Sequence, residues 1–157
     1  MSPTRKARRA PRPPRSKVAR FRMPSQRSAV APTVERILRF VKRAELSPER
    51  RDDLAVALAE ALSNAAVHGH RERPRSLVLV AVKASRGCVV VDVHDSGPGF
   101  DVDTVVKVDP TDQHHLLVPG GRGVFLMRRL VDRLEFNPKG NHVRLVLESD
   151  PHRRRGD

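Results

Sequence analysis

The chain has 157 residues, 38% of them apolar and 31% charged, with a formal net charge of +13. That is room for one globular domain, and no apolar run approaches the roughly 20 residues of a membrane span. The basic N-terminus has no apolar stretch behind it and does not read as a secretory signal. A single cysteine excludes an internal disulfide and a cysteine-based zinc site, so the expected location is the cytoplasm.

The positive charge is unevenly placed. Residues 1–27 hold ten Lys/Arg and no acid, 150–157 hold three Arg against two Asp, and 28–149 hold 18 basic and 16 acidic residues. Met1–Arg15 mixes Pro and Arg with almost nothing apolar and is expected to be a disordered basic tail. Residues 16–149 are expected to form the folded domain and 150–157 a basic C-terminal tail. The first tail can bind phosphate backbones, anionic lipid or an acidic partner, or it can be a solvated extension. With no Trp, no Tyr and five Phe, platforms for stacking bases are scarce, which favours the solvated extension.

In chain order, Lys17–Met23 alternates loosely and reads as an edge strand. Thr33–Ala44 carries Val34, Ile37, Leu38 and Val41 at helical spacing. Ser47-Pro48 reads as an N-cap followed by Pro at the first helical position, opening a helix to about His68 that Gly69 stops. Leu77–Lys83 and Cys88–His94 are β-branched runs joined as a hairpin through Ala-Ser-Arg-Gly, with Cys88 expected to be a small buried apolar residue. Asp95–Phe100 is a Gly/Pro loop, and Asp101–Gly121 shows no strong period. Gly123–Leu134 reads as a helix, and Leu134–Phe136 and His142–Glu148 as strands around an Asn-Pro-Lys-Gly-Asn turn. Helices first and hairpins later predict an α+β two-layer sandwich, with helices on one face of a mostly antiparallel mixed sheet.

Three segments carry candidate chemistry. Leu54–Val67 is apolar nearly all round, as a buried helix is, except at Glu60, Ser63 and Asn64. Glu60 and Asn64 share one face, and His68 continues the stripe. Asn offers an oxygen to a hard cation such as Mg²⁺, and Glu can deprotonate a water or hydroxyl. The stripe can equally be where the helix meets solvent, its two side chains bonded to each other. Asp95, at a strand end, can accept a hydrogen bond from an exocyclic amine, and Gly97 and Gly99 allow close approach of the backbone. A tight Asp-Gly turn without a ligand reads the same way. Gly120-Gly121-Arg122-Gly123 opens a helix, where free N–H groups and the dipole favour phosphate, although a flexible linker also fits. It is not a Walker loop. His114 and His115 belong to no recognised metal spacing.

Taken in order, the three segments resemble the GHKL ATPase superfamily. Glu60-Ala-Leu-Ser-Asn64-Ala-Ala-Val-His68-Gly69 is similar to its N box, Asp95-Ser-Gly97-Pro-Gly99-Phe100 to its G1 box, and Gly121-Arg-Gly123-Val-Phe-Leu-Met-Arg-Arg-Leu-Val-Asp132 to its G2 box. Within the superfamily the chain resembles the anti-sigma-factor serine/threonine kinases, over roughly Lys17 to Glu148.

The resemblance implies a Bergerat-type ATP-binding fold with ATP and Mg²⁺ as cofactors. It implies that Asn64 ligates Mg²⁺, that Asp95 bonds the adenine amine in a pocket shaped by Gly97 and Gly99, and that Gly121 and Gly123 contact phosphates. His68, Phe100, Arg122 and Val124 complete the implied ATP-binding set, with 101–120 as a lid. Glu60 is the implied base toward a Ser or Thr hydroxyl, and Arg36 the implied partner-binding Arg. The implied partners are a sigma factor, a STAS-domain anti-anti-sigma protein and a second copy in a homodimer, with no membrane. No room is expected for a histidine-kinase dimerisation helix pair or a transducer domain. Two other readings stand beside the kinase: an ATP-binding module without transfer, and a nucleic-acid-associated regulator acting through the basic tail.

Overall fold

A computed structural model of the chain describes residues 16–69, 75–106 and 121–149. Its elements are β1 (Lys17–Pro24), a 3₁₀ turn (Arg27–Ala29), α1 (Val30–Phe40), a second 3₁₀ turn (Val41–Ala44), α2 (Pro48–Asn64) and a π turn (Ala65–Gly69). There follow β2 (Leu77–Ser85), β3 (Cys88–His94), α3 (Val102–Val106), α4 (Gly121–Leu130), β4 (Arg133–Phe136) and β5 (His142–Glu148). The strands form one sheet in the order β1-β2-β3-β5-β4. This is the expected two-layer α+β arrangement. Among the described residues every pairing is antiparallel, where a mixed sheet was expected. The chain leaves α4 into the edge strand β4 and doubles back, so β5 opposes both its neighbours.

Strand parity sets the core. Val78, Val80 and Val82 on β2, Val89, Val91 and Val93 on β3, and Val143, Leu145 and Leu147 on β5 are buried. The intervening Leu79, Lys83, His94 and Arg144 are exposed on the outer face, since successive strand side chains point to opposite faces. The same parity corrects Cys88, which is half-exposed rather than buried. On the outer face Asp92 accepts from Arg144 Nε at 2.8 Å and lies 2.8 Å from His142 Nε2, and it holds the Arg144 guanidinium above its usual pKa.

The helices cover the inner face. The 3₁₀ turn and α1 begin before Thr33, because Pro32 lies within the first turn, where its missing N–H costs no hydrogen bond, and Val30, Thr33, Val34 and Ile37 are buried. Ser47 caps α2 as expected, its Oγ accepting from Arg50 N at 3.2 Å, with Pro48 following. Hydrogen bonds to its own backbone and to Ser47 hold the Glu49 carboxyl below its usual value. Leu54, Ala57, Leu58, Ala61 and Leu62 are buried, while Val56 is 41% exposed. So α2 buries a stripe and not its whole circumference. No helix among the described residues is long and apolar enough to cross a membrane.

Arg50, near the start of α2, joins three elements. Its Nη1 donates to the Leu130 carbonyl at 3.0 Å and to Asp53 at 3.0 Å, its Nε to the Glu148 carbonyl at 3.1 Å, and its Nη2 to Asp132. Asp132 also accepts from Glu148 N at 2.7 Å, and its own N–H donates to the Val146 carbonyl at 2.9 Å. The carbonyl at the end of α4, which has no intrahelical partner, is thus satisfied by α2. This ends α4 at Leu130 and not at the expected Leu134. Arg50→Ala is expected to lower stability by about 1.5–3 kcal/mol, the range for lost hydrogen bonds to charged groups, here in a partly buried setting. Urea denaturation measures it, and an unchanged midpoint would show that Arg50 does not hold α4 in place.

Candidate functional site

Glu60 and Asn64 lie one turn apart near the end of α2, both half-buried. The start of α4 rests against them. A Cβ added to Gly123 would stand 2.6 Å from Glu60 Oε2, 3.3 Å from Asn64 Nδ2 and 3.6 Å from Asn64 Oδ1. A side chain here would displace the Glu60 carboxylate, so glycine is what lets α4 and these two side chains stand this close together. Gly121 is buried and begins the ten-residue α4. The first N–H groups of a helix lack intrahelical acceptors, so α4 presents donors and the positive end of its dipole beside a carboxylate and a carboxamide. Arg122 between the glycines is exposed, and Val124 is buried in the core.

Directly after Asn64 the helix widens into the π turn Ala65–Gly69, a form that occurs mostly as single turns within helices, frequently at functional sites. The buried Ser25 hydroxyl, arriving from the end of β1, donates to the Ala66 carbonyl at 3.3 Å. The His68 backbone belongs to this turn; its side chain lies outside the described residues.

Asp95, Gly97, Gly99 and Phe100 form a second cluster at the end of β3. Asp95 is only 7% exposed, and its Oδ1 accepts from Gly97 N at 2.8 Å. A carboxylate can accept up to about four hydrogen bonds, so this bond is compatible with a further donor. The β4–β5 turn locks the loop. Asp95 N donates to the Asn141 carbonyl at 3.0 Å, Asn141 Nδ2 to the Asp95 carbonyl at 3.1 Å, and Phe100 N to the Lys139 carbonyl at 3.2 Å. Asn137 Oδ1 in turn accepts from Asn141 N at 3.1 Å and from His142 N at 3.2 Å. Gly99 and Gly140 both have positive φ, 76° and 74°, and a Cβ on either would collide with the other segment's backbone. Phe100 stands edge-on to Phe136 at 5.4 Å.

Asn137, Gly140 and Asn141 were read from sequence only as a turn. Their doubled Asn around Pro-Lys-Gly signalled a tight turn, but nothing local named the loop it would hold. The stretch after Asp101, read as featureless, contains α3. Asp101 starts it, its Oδ1 accepting from Asp103 N at 3.1 Å and Thr104 N at 3.3 Å, and α3 touches α4. The rest of the expected lid, with His114 and His115, lies outside the described residues. Arg36 is on the exposed side of α1, its guanidinium 5.4 Å from the Phe21 ring centre. Among the described residues no three His, Cys, Asp or Glu side chains group as a metal site.

The geometry sets Glu60 and Asn64 of α2 against the glycine start of α4, and a buried Asp stands at the end of β3. A family model described as a histidine kinase-like ATPase domain matches residues 23–147. The chain belongs to this family. Among curated proteins it is similar to an anti-sigma F factor of Clostridium beijerinckii, at 26% identity over 69% of this chain and 77% of that protein. It is also similar to proteins named serine-protein kinase RsbW. The one from Listeria monocytogenes is 29% identical over 59% of this chain and 62% of its own length; the one from Oceanobacillus iheyensis is 26% identical over 60% and 63%. The matched segment thus spans less than two thirds of the two kinases.

The locked loop generates a prediction. Gly140→Ala adds a side chain where φ is positive and the Phe100 backbone is in the way, so a loss of about 1–3 kcal/mol is expected. Faster amide exchange at Asp95 and Phe100 should accompany it. Protection unchanged at both amides would mean the turn does not hold the loop.

Proposed function

We propose that the chain is an ATP-dependent protein serine/threonine kinase that acts as an anti-sigma factor. It binds a sigma factor, as a homodimer, and phosphorylates a STAS-domain anti-anti-sigma protein. The observation that carries this reading is the contact of Gly123 with Glu60 and Asn64. Membership of the histidine kinase-like ATPase family and the names of the similar proteins support it.

The residues fit the cofactors. Gly121 and Gly123 leave backbone N–H groups at a helix start open to phosphate. Asn64 supplies an oxygen of the hard type Mg²⁺ prefers, in a site where that ion would keep several waters. Asp95, buried and rigidly placed, accepts a hydrogen bond from the adenine amine, beside the backbone of Gly97 and Gly99; Phe100 borders this pocket, and Val124 packs beneath the glycine turn. His68 and Arg122 complete the ATP-binding set. When bound, Mg·ATP supplies the phosphoryl group and the charge neutralisation that such transfer requires. Glu60 takes the proton from the attacking Ser or Thr hydroxyl, and its place against the α4 backbone fixes where that proton goes. Arg36, exposed on α1, belongs to the partner-binding face.

Affinity capture from a lysate of the source cells, with Mg·ATP and then Mg·ADP, tests the whole reading by mass spectrometry. A sigma factor and a small anti-anti-sigma protein that exchange with nucleotide, the latter carrying phosphoserine or phosphothreonine, are expected. Partners indifferent to nucleotide and free of phosphate would count against it. Glu60→Ala should cut transfer by about 10²–10⁴-fold, the usual share of a general base, with nucleotide affinity retained. Transfer at the wild-type rate would remove Glu60 as the base; no transfer by the wild-type chain would leave an ATP-binding module. Asn64→Ala should lose the Mg²⁺ dependence of nucleotide binding, and titration calorimetry with and without Mg²⁺ measures it.

A further inference from the structure

At the end of the sheet opposite Asp95, a cavity of about 260 Å³ opens between the start of β1, the end of α1 and the β2–β3 hairpin. Phe40, Ala44 and Ala84 line it together with Lys17, Arg43, Ser85 and Arg86. The β2–β3 hairpin is fixed here, because Gly87 N donates to the Ala44 carbonyl at 2.9 Å. Ser85 Oγ is committed to the Cys88 carbonyl at 3.3 Å. Among the described residues Lys17 and Arg43 have no carboxylate partner. Arg86 pairs with Glu45 at 2.9 Å, but with side chains 77% and 60% exposed, so water and an incoming carboxylate compete for it easily. The aromatic lining continues outward, Phe40 lying edge-on to Phe21 at 6.2 Å, with Arg36 over Phe21.

We infer that this cavity is a docking site for an acidic segment of a partner protein. One apolar side chain of that segment seats on Phe40, Ala44 and Ala84, and its flanking carboxylates meet Lys17, Arg43 and Arg86. The chemistry selects this occupant. A cavity lined by three apolar residues and three cations matches an apolar residue between acids. A free inorganic anion would leave the apolar residues uncovered, and it would find the hydroxyl and the hairpin N–H already used. A nucleic-acid backbone asks for cations in line along a groove, not in a cavity of side-chain size. The site lies before the start of α2, and Glu60 is twelve residues further, about 18 Å along the helix axis. The inference is therefore independent of the kinase reading, and its occupant does not compete for Glu60 or Asn64.

The test uses the full chain and a fluorescein-labelled heptapeptide with leucine between two Glu-Asp-Glu triplets, read by anisotropy at physiological salt. Arg43→Glu and, separately, the exposed Lys17→Glu are each expected to weaken binding about tenfold or more. Arg133→Glu, the same charge change on the far edge strand β4, should cost less than about twofold. Replacing the peptide's leucine by serine should cost about tenfold, from lost apolar burial. Mg·ATP affinity, measured on the same variants, should not move. Equal losses at Arg43, Lys17 and Arg133 would reduce the binding to net charge and overturn the inference. So would indifference to the leucine, or retained binding in both the Arg43 and Lys17 variants. Displacement of the peptide by inorganic phosphate, or by an oligothymidylate with the same dependence on Arg43, would also overturn it.

Discussion

Two antiparallel helices held at both ends are the constraint on which the places of Glu60, Asn64 and Gly123 depend. At one end Arg50 of α2 satisfies the last carbonyl of α4 and ties it to Asp132 and β5. At the other, Gly123 of α4 lies against Glu60 and Asn64. Arg50 and Glu60 are ten residues apart, about 15 Å along the axis. A shift of α4 by one residue's rise would break the carbonyl bond or drive the glycine into the carboxylate. The glycine contact alone would not fix register, because glycine packs without interlocking. The guanidinium supplies that register through several directed bonds at once, which a point charge such as lysine does not reproduce.

The Asp95 loop is fixed by a different device. Its backbone bonds to a second turn rather than to a strand, and two glycines of positive φ allow the chains to cross in near contact. Asn137 and Asn141 hold that second turn with their side chains. The Asp95 carboxylate therefore reaches a buried position on a braced backbone. The two clusters have separate supports, one from helix packing and one from paired turns.

Much of this was legible because the signals were local. Ser47-Pro48 announced α2, the alternating valines announced β2 and β3, and the three glycine- and asparagine-bearing segments announced the family. What escaped was long-range or conflicted. Val131 and Leu134 continue the apolar spacing of α4 past its true end, where Arg50 takes the Leu130 carbonyl and Asp132 turns to Glu148 N and Arg50. Asn141 is a turn residue by sequence and a brace by its partner, Asp95, 46 positions away. Strand parity, not cysteine's usual preference, decides the exposure of Cys88. The helix α3 was readable in principle from Asp101 ahead of Asp103 and Thr104, but it is too short for a period to show.

The place of β1 at the rim of the sheet gives part of the basic excess a reason in the fold. Among the described residues no strand pairs with its outer side, so one row of backbone donors and acceptors stands ready to recruit another chain. Arg20 and Arg22 are exposed along it, with Lys17 at its start and Pro24 at its end. Charges and a terminal proline on an edge strand repel a like strand approaching in register. Four of the ten cations in residues 1–27, Lys17, Arg20, Arg22 and Arg27, lie within the described structure, and three of them sit on this edge strand. Part of what reads in composition as an attraction for polyanions thus keeps the sheet from growing.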